Sequence, residues 1–207
     1  CYQGDVDAIS ALLQQGNGVD REDYDGYAPL FVASSKGHVD AVRLLLDAGA
    51  AVDKMREGDW SPFGIACVRG HLDVATLLVE RGAAVDLCLD GTTPLLFAYR
   101  KQDFDAMRFC LERGADPNWA NKYGETLLFI ACQNGHVDAA RLLLDKGAEV
   151  DRAMKKYGWT PLYAACRNGH VDTARLLLDN GAEVDRADED GVTPLFIACE
   201  HGHVDAA

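Results

Sequence analysis

The sequence predicts an all-α fold, a solenoid of stacked helix-turn-helix units with β-hairpin or turn fingers between them. Three observations predict it. Glycines recur with a period near 33, at Gly16, Gly49, Gly82, Gly114, Gly147 and Gly181, in steps of 33, 33, 32, 33 and 34. The phrase Gly-His-Val/Leu-Asp begins at Gly37, Gly70, Gly135, Gly169 and Gly202, and one repeat replaces it with Gln102-Asp103-Phe104-Asp105. Thr-Pro-Leu or a variant stands at 28–30, 61–63, 93–95, 126–128, 160–162 and 193–195. Chance apolar patterning does not lock three independent phrases to one period.

Each phrase has a physical reading. In Thr160-Pro161-Leu162, Thr is a good N-cap, and Pro suits the first helical position, where no N–H partner is lost. A short apolar helix follows through Cys166 and is broken by Gly169-His170. A second helix runs from about Val171 to Asn180, with Asp172 in its first turn, where the helix dipole favours an anion. Leu176, Leu177 and Leu178 supply its buried face. Gly181 ends it in the left-handed C′ conformation, and Val184-Asp185 leads into the next polar finger. Helices this short are not stable alone, and stacking against neighbours is what buries their apolar faces.

Composition sets the class. With 48% hydrophobic residues the chain folds rather than staying disordered. No stretch approaches the roughly 18 apolar residues that span a bilayer, and no signal segment opens the chain, so a membrane partner is not expected. The net charge of −13 makes nucleic acid a poor partner. Seven cysteines, an odd number, point to a reduced intracellular setting, cytoplasmic or nuclear. Cys1 rather than Met begins the chain, which suggests a piece of a longer protein.

The pattern resembles the ankyrin repeat, a turn or β-hairpin finger followed by two antiparallel helices. The resemblance covers essentially the whole chain, as one domain over 1–207. A partial repeat occupies 1–18. Full repeats follow at 19–51, 52–84, 85–116, 117–149 and 150–183, and a truncated one at 184–207. The break inside the last repeat implies an array that continues in the parent protein. The family usually reads Thr-Pro-Leu-His, but that His column here holds Phe31, Gly64, Leu96, Phe129, Tyr163 and Phe196. The family's Thr–His bonds are therefore absent, and apolar packing is expected in their place. The family's Asn after the glycine is mostly Asp: Asp20, Asp53, Asp86, Asp151 and Asp185, with Asn118 the exception. The third repeat is one residue short, with Leu87-Cys88-Leu89 where others are polar. A locally altered finger and a weaker joint are expected there.

Catalysis, cofactors and metals are not expected. Cys67, Cys132, Cys166 and Cys199 occupy one repeat column. Neighbouring columns of packed helices lie about 10 Å apart. A disulfide needs Cα atoms within about 7 Å, and zinc needs sulfurs about 2.3 Å from one ion. Buried thiols closing the first helix are the better reading. The histidines His38, His71, His136, His170 and His203 recur once per repeat and cannot converge on one metal, so a role at the helix–helix corner is expected. No nucleophile elbow, P-loop or dinucleotide glycine pattern is present, and a small-molecule ligand is not expected either.

What remains is a surface for another protein. The resemblance implies two such surfaces, the finger tips and the concave face of the first helices. All three tryptophans fall in fingers, Trp60, Trp119 and Trp159, together with Tyr24, Tyr27, Tyr123 and Tyr157. Aromatic rings concentrate binding energy at interfaces, yet the same rings could pack between fingers and stiffen the array. The ends of the first helices carry Lys36, Arg69, Arg100, Lys101 and Arg167 in a strongly acidic chain. That stripe suits an acidic or phosphorylated peptide, while ordinary solvated charge is the plainer reading. Asp40, Arg43 and Asp47 and their equivalents are spaced for i,i+3 and i,i+4 pairs on the outer face. The leading function is a protein-binding scaffold. The alternative is a structural spacer with no tight partner of its own.

Overall fold

The computed structural model describes residues 3–87, 89, 91–203 and 205, and Cys88 of the altered finger lies outside them. The chain divides into two compact units, Cys1–Ala115 and Asp116–Ala207. The first holds α1 (Val6–Gln14), α2 (Pro29–Lys36), α3 (Val39–Asp47), α4 (Pro62–Arg69), α5 (Leu72–Glu80), α6 (Pro94–Arg100) and α7 (Phe104–Glu112). The second holds α8 (Leu127–Gln133), α9 (Val137–Asp145), α10 (Pro161–Arg167), α11 (Val171–Asp179) and α12 (Pro194–Glu200). Each unit is the expected stack of helical hairpins. In the first, α2 pairs with α3 and packs on α4, which pairs with α5 and packs on α6. In the second, α8, α10 and α12 stack in one row and α9 and α11 in another.

The phrases act as read. The hydroxyls of Ser61, Thr93, Thr126, Thr160 and Thr193 accept from the backbone N–H of Gly64, Leu96, Phe129, Tyr163 and Phe196. The family's absent Thr–His bonds are thus replaced at the hydroxyl by helix capping. The second helices each carry an acid in the first turn and bury one face, Ala139, Ala140, Leu142 and Leu143 in α9. Gly147 and Gly181 follow α9 and α11 with φ of 90° and 85°. The fingers are turns rather than hairpins: among the described residues the only β-pairing is two isolated bridges, Leu89–Thr92 and Ala120–Thr126.

The Asp column has a defined role. The carboxylates of Asp20, Asp53 and Asp151 accept from the backbone N–H of Ala51, Ala84 and Glu183, one repeat later. Asn118 does the same for Glu149 and also donates to the Gly147 carbonyl. One outer-face acid reaches beyond its own helix. Asp47 takes Arg81 of the next repeat at 2.7 Å rather than Arg43 of its own helix, because the extended Arg81 side chain reaches across the stack.

The histidines stitch repeats together. An ideal Cβ on Gly37 would lie 2.7 Å from Nδ1 of His71, and one on Gly135 or Gly169 would lie 2.6 Å from that of His170 or His203. Each imidazole therefore lies flat on the glycine of the preceding repeat. His71 Nε2 sits 3.2 Å from the Ser35 carbonyl, and His170 Nε2 sits 3.1 Å from that of Gln133. The third repeat departs as expected. Gln102 takes the left-handed position with φ 56°, the only non-glycine to do so among the described residues. The close α3–α5 packing has no equal between α5 and α7.

Candidate protein-binding surface

In the first unit the candidate residues gather along the ends of α2, α4 and α6. Tyr27 stacks on Phe31 with centroids 4.9 Å apart, and the Arg56 guanidinium lies over Tyr27 at 5.3 Å. A cleft of about 280 Å³ opens beside them, lined by Tyr27, Phe31, Ser35, Lys36, Asp59 and Arg69 among others. A second cleft of about 270 Å³ is lined by Arg69, Phe97 and Lys101, with Lys101 Nζ 5.6 Å from the Phe97 ring. Arg69 borders both, so Lys36, Arg69 and Lys101 follow one another along one face. Arg100 is turned to Thr92, whose hydroxyl accepts at 3.2 Å. The Asp59 carboxylate accepts from the backbone N–H of Trp60, and Asp103 accepts from that of Ala106.

Trp60 is largely enclosed. It is 8% exposed, packed with Phe31, Val32 and Ile65 and edge-on to Phe97 at 5.7 Å. Its ring joins finger to helix residues. Tyr24 stands fully exposed.

In the second unit Tyr157, Trp159 and Tyr163 form a three-ring stack with spacings of 4.8 and 5.3 Å. Arg167 caps it, 4.5 Å above Trp159. Asp188 anchors it from the next finger: one oxygen accepts from Trp159 Nε1, the other from the backbone N–H of Asp190 and Val192. That second set is an Asx turn, repeated at Asp23 and Asn121, and it shapes three fingers alike. Burial, with the charge and hydrogen bond of Asp188, raises the Tyr163 phenol to about 12. A cleft of about 330 Å³ lies alongside, lined by Gln133, Trp159, Arg167, Asn168 and His201 among others. Tyr123 and Tyr157 are exposed with Lys122 and Lys156 over their rings, and Trp119 is half-buried.

Cation–aromatic pairing and the Asp188 anchor were not anticipated. The adjacent Lys122-Tyr123 and Lys156-Tyr157 pairs were a visible signal for the first. The second joins residues 29 apart in sequence and had none.

Cys67, Cys132 and Cys166 are buried and Cys199 is exposed. Burial raises the Cys132 thiol well above its usual range and Cys166 to about 11. A hydrogen bond to Cys110, then burial, raises Cys67 far more. His201 and His203 face each other at 6.4 Å. Among the described residues no three His, Cys, Asp or Glu are grouped to hold a metal. No described helix is long and apolar enough to cross a membrane.

Such repeats define a class built to hold other proteins on an extended surface. The family model for ankyrin repeats in three copies matches residues 1–88, 51–120, 83–154, 110–188 and 152–207, and the chain belongs to that family. Over 61 residues it is 41% identical to the probable E3 ubiquitin-protein ligase XBOS33 of Oryza sativa subsp. japonica. That stretch is 30% of this chain and only 12% of the rice protein. Among solved structures, the ankyrin repeat domain of Bcl-3, a member of the IkappaB family, superposes with a TM-score of 0.84 at 26% identity, covering 99% of this chain and 94% of that one. An ankyrin repeat domain from Acinetobacter baumannii AYE gives 0.73 at 29% identity, covering 86% and 93%. Ankyrin repeats are generally protein–protein interaction modules rather than catalysts.

Proposed function

We propose that this chain is a single protein-binding domain whose first-helix ends hold an acidic or phosphorylated segment of a partner protein. The observation that carries the reading is the run Lys36, Arg69, Lys101 along two adjoining clefts. Cations so placed in a chain of net charge −13 set up a local field opposite to that of the whole. Aromatic walls at Tyr27, Phe31 and Phe97 add apolar contact beside the charge. In the second unit Arg167 on its three-ring stack is the corresponding contact, flanked by exposed Tyr123 and Tyr157. The domain has no catalytic role, does not bind nucleic acid, and works in a reducing compartment, the cytoplasm or nucleus, where its thiols stay reduced.

The spacer alternative draws support from one residue, Trp60, whose ring is fully engaged in packing. The test separates the two. Fluorescence anisotropy would follow a labelled glutamate-rich peptide and its phosphoserine counterpart with this chain and with a Lys36→Glu/Arg69→Glu variant shown by circular dichroism to be folded. Salt-sensitive binding by the first, reduced at least about tenfold in the second, supports the reading. No binding, or equal binding by both, overturns the assigned surface.

A further inference from the structure

One joint in the first unit lacks the ring that closes the others. At Gly4, Gly37, Gly135 and Gly169 an imidazole of the following repeat lies within 2.8 Å of where a Cβ would stand. At Gly70 nothing lies within 4 Å. The residue in the imidazole's place is Asp103, and its backbone (φ −89°, ψ 89°) is close to that of His38 (φ −83°, ψ 81°). Asp103 thus keeps the local backbone of the histidine it replaces. The shorter carboxylate turns instead to its own helix, accepting from the Ala106 N–H at 2.9 Å. What is left is the cleft of about 270 Å³ bordered by Gly70, Asp103, Cys67, Val68, Arg69 and Lys101.

The acceptor is left behind as well. His71 and His170 approach the carbonyls of Ser35 and Gln133, each two residues before the covered glycine. The counterpart before Gly70 is Val68, whose carbonyl receives no imidazole. The joint thus keeps a bare glycine beside a cleft, at the place where the same chain elsewhere seats a histidine ring against a helix-end carbonyl.

We propose that the Gly70–Asp103 joint is a binding site for an imidazole ring, the histidine side chain of a bound partner, seated on Gly70 with its ring N–H donated to the Val68 carbonyl. Only the occupant's origin rests on the protein-binding reading. The socket itself is a property of this joint and takes the free heterocycle. Its position between Arg69 and Lys101 sets the partner's histidine within the cation run, beside an acidic neighbour.

The test is a titration of the full chain with imidazole, at a pH above the probe's own pKa, followed by amide resonances. Saturable shifts at Val68 and Gly70, with none at Gly37 and Gly135, are expected. These two glycines already carry rings and serve as internal controls. Asp103→His, which supplies the ring in cis, is expected to abolish the response. 1-Methylimidazole, which has no N–H, is expected to bind roughly fivefold more weakly, the worth of one neutral hydrogen bond. Absence of saturation at Gly70, equal shifts at Gly37, or an undiminished response in Asp103→His would each overturn the proposal. Because the probe is not a protein, failure of the partner reading leaves this result unaffected.

Discussion

Gly37 and Gly70 make a matched pair. Their backbones are nearly the same, φ 75° and ψ 22° against φ 76° and ψ 19°. They differ in the imidazole, which covers the first and not the second. Alanine at either position meets the left-handed penalty, about 1 kcal/mol, partly offset by a less flexible unfolded chain. At Gly70 that is the whole effect. At Gly37 the new methyl must also displace His71, losing its bond to the Ser35 carbonyl, about 1 kcal/mol, and its packing, about another 1 kcal/mol. The expected costs are thus roughly 1 kcal/mol for Gly70→Ala and roughly 3 kcal/mol for Gly37→Ala. For a chain of this length that is a fall in Tm of about 2–4 °C against about 6–12 °C. Thermal melts by far-UV circular dichroism read the difference directly. His71→Ala in a double-mutant cycle should erase most of the extra penalty at Gly37. Equal costs at the two glycines, or a Gly37 penalty that survives His71→Ala, would refute the assignment of the ring as the stitch between repeats.

Other positions give further expectations. Gly147 has open space around its missing Cβ and φ of 90°, so Gly147→Val should cost about 1–2 kcal/mol from backbone strain alone, and an unchanged melting temperature would count against the cap assignment. The Ser34 hydroxyl is buried without a hydrogen-bond partner in the column that elsewhere holds Cys67, Cys132 and Cys166, so Ser34→Cys should stabilise by about 1 kcal/mol in urea titrations. Burial raises the Asp53 pKa above 3.8 against the lowering bond from Ala84, so its contribution to stability declines as pH rises through that range. Asp53→Asn should therefore raise Tm at neutral pH and lose the advantage in acid. The Tyr163 phenol, held neutral to about 12, contributes stability that is present below pH 10 and lost between pH 10 and 12. Tyr163→Phe should flatten the fall of the urea midpoint across that window.

The helices and their ends were legible because their causes are local. A hydroxyl, a proline and a glycine each act within three or four residues, so one repeat of sequence contains the whole instruction. The aromatic column was legible as a column and not as a site. Tyr27, Trp60 and Trp159 share one position, yet Trp60 is enclosed by Phe97 and Leu89, Tyr27 by Phe31 and Arg56, and Trp159 by Tyr157, Tyr163 and Arg167. The part that one repeat does not display comes from the next one: Phe97 against Trp60, Arg56 over Tyr27, and Asp188 on the Trp159 indole N–H, while Phe31, Tyr157, Tyr163 and Arg167 lie in the ring's own repeat. The histidine stitches fall between these cases. Their recurrence marked them as structural, but a ring against a glycine one repeat earlier is a tertiary contact that no single repeat displays.

The same division explains how a chain with 33 acids and 20 bases can offer a cationic surface. Many of the acids are bound to the scaffold. Asp20, Asp53 and Asp151 hold the next repeat's backbone N–H, Asp5 and Asp103 cap helices, and Asp23 and Asp188 close finger turns. Such roles repeat with the period because every unit needs them. The cations at the first-helix ends do not follow that rule, since the sequence there changes from Lys36 to Arg69, Lys101, Asn134, Asn168 and His201. On the proposed reading, positions the stack does not dictate are those left to a partner. On the same reading the acidic background works for selectivity: it repels acidic chains away from the cationic contacts, Lys36, Arg69 and Lys101 in the first unit and Arg167 in the second, so an acidic segment gains only at those side chains.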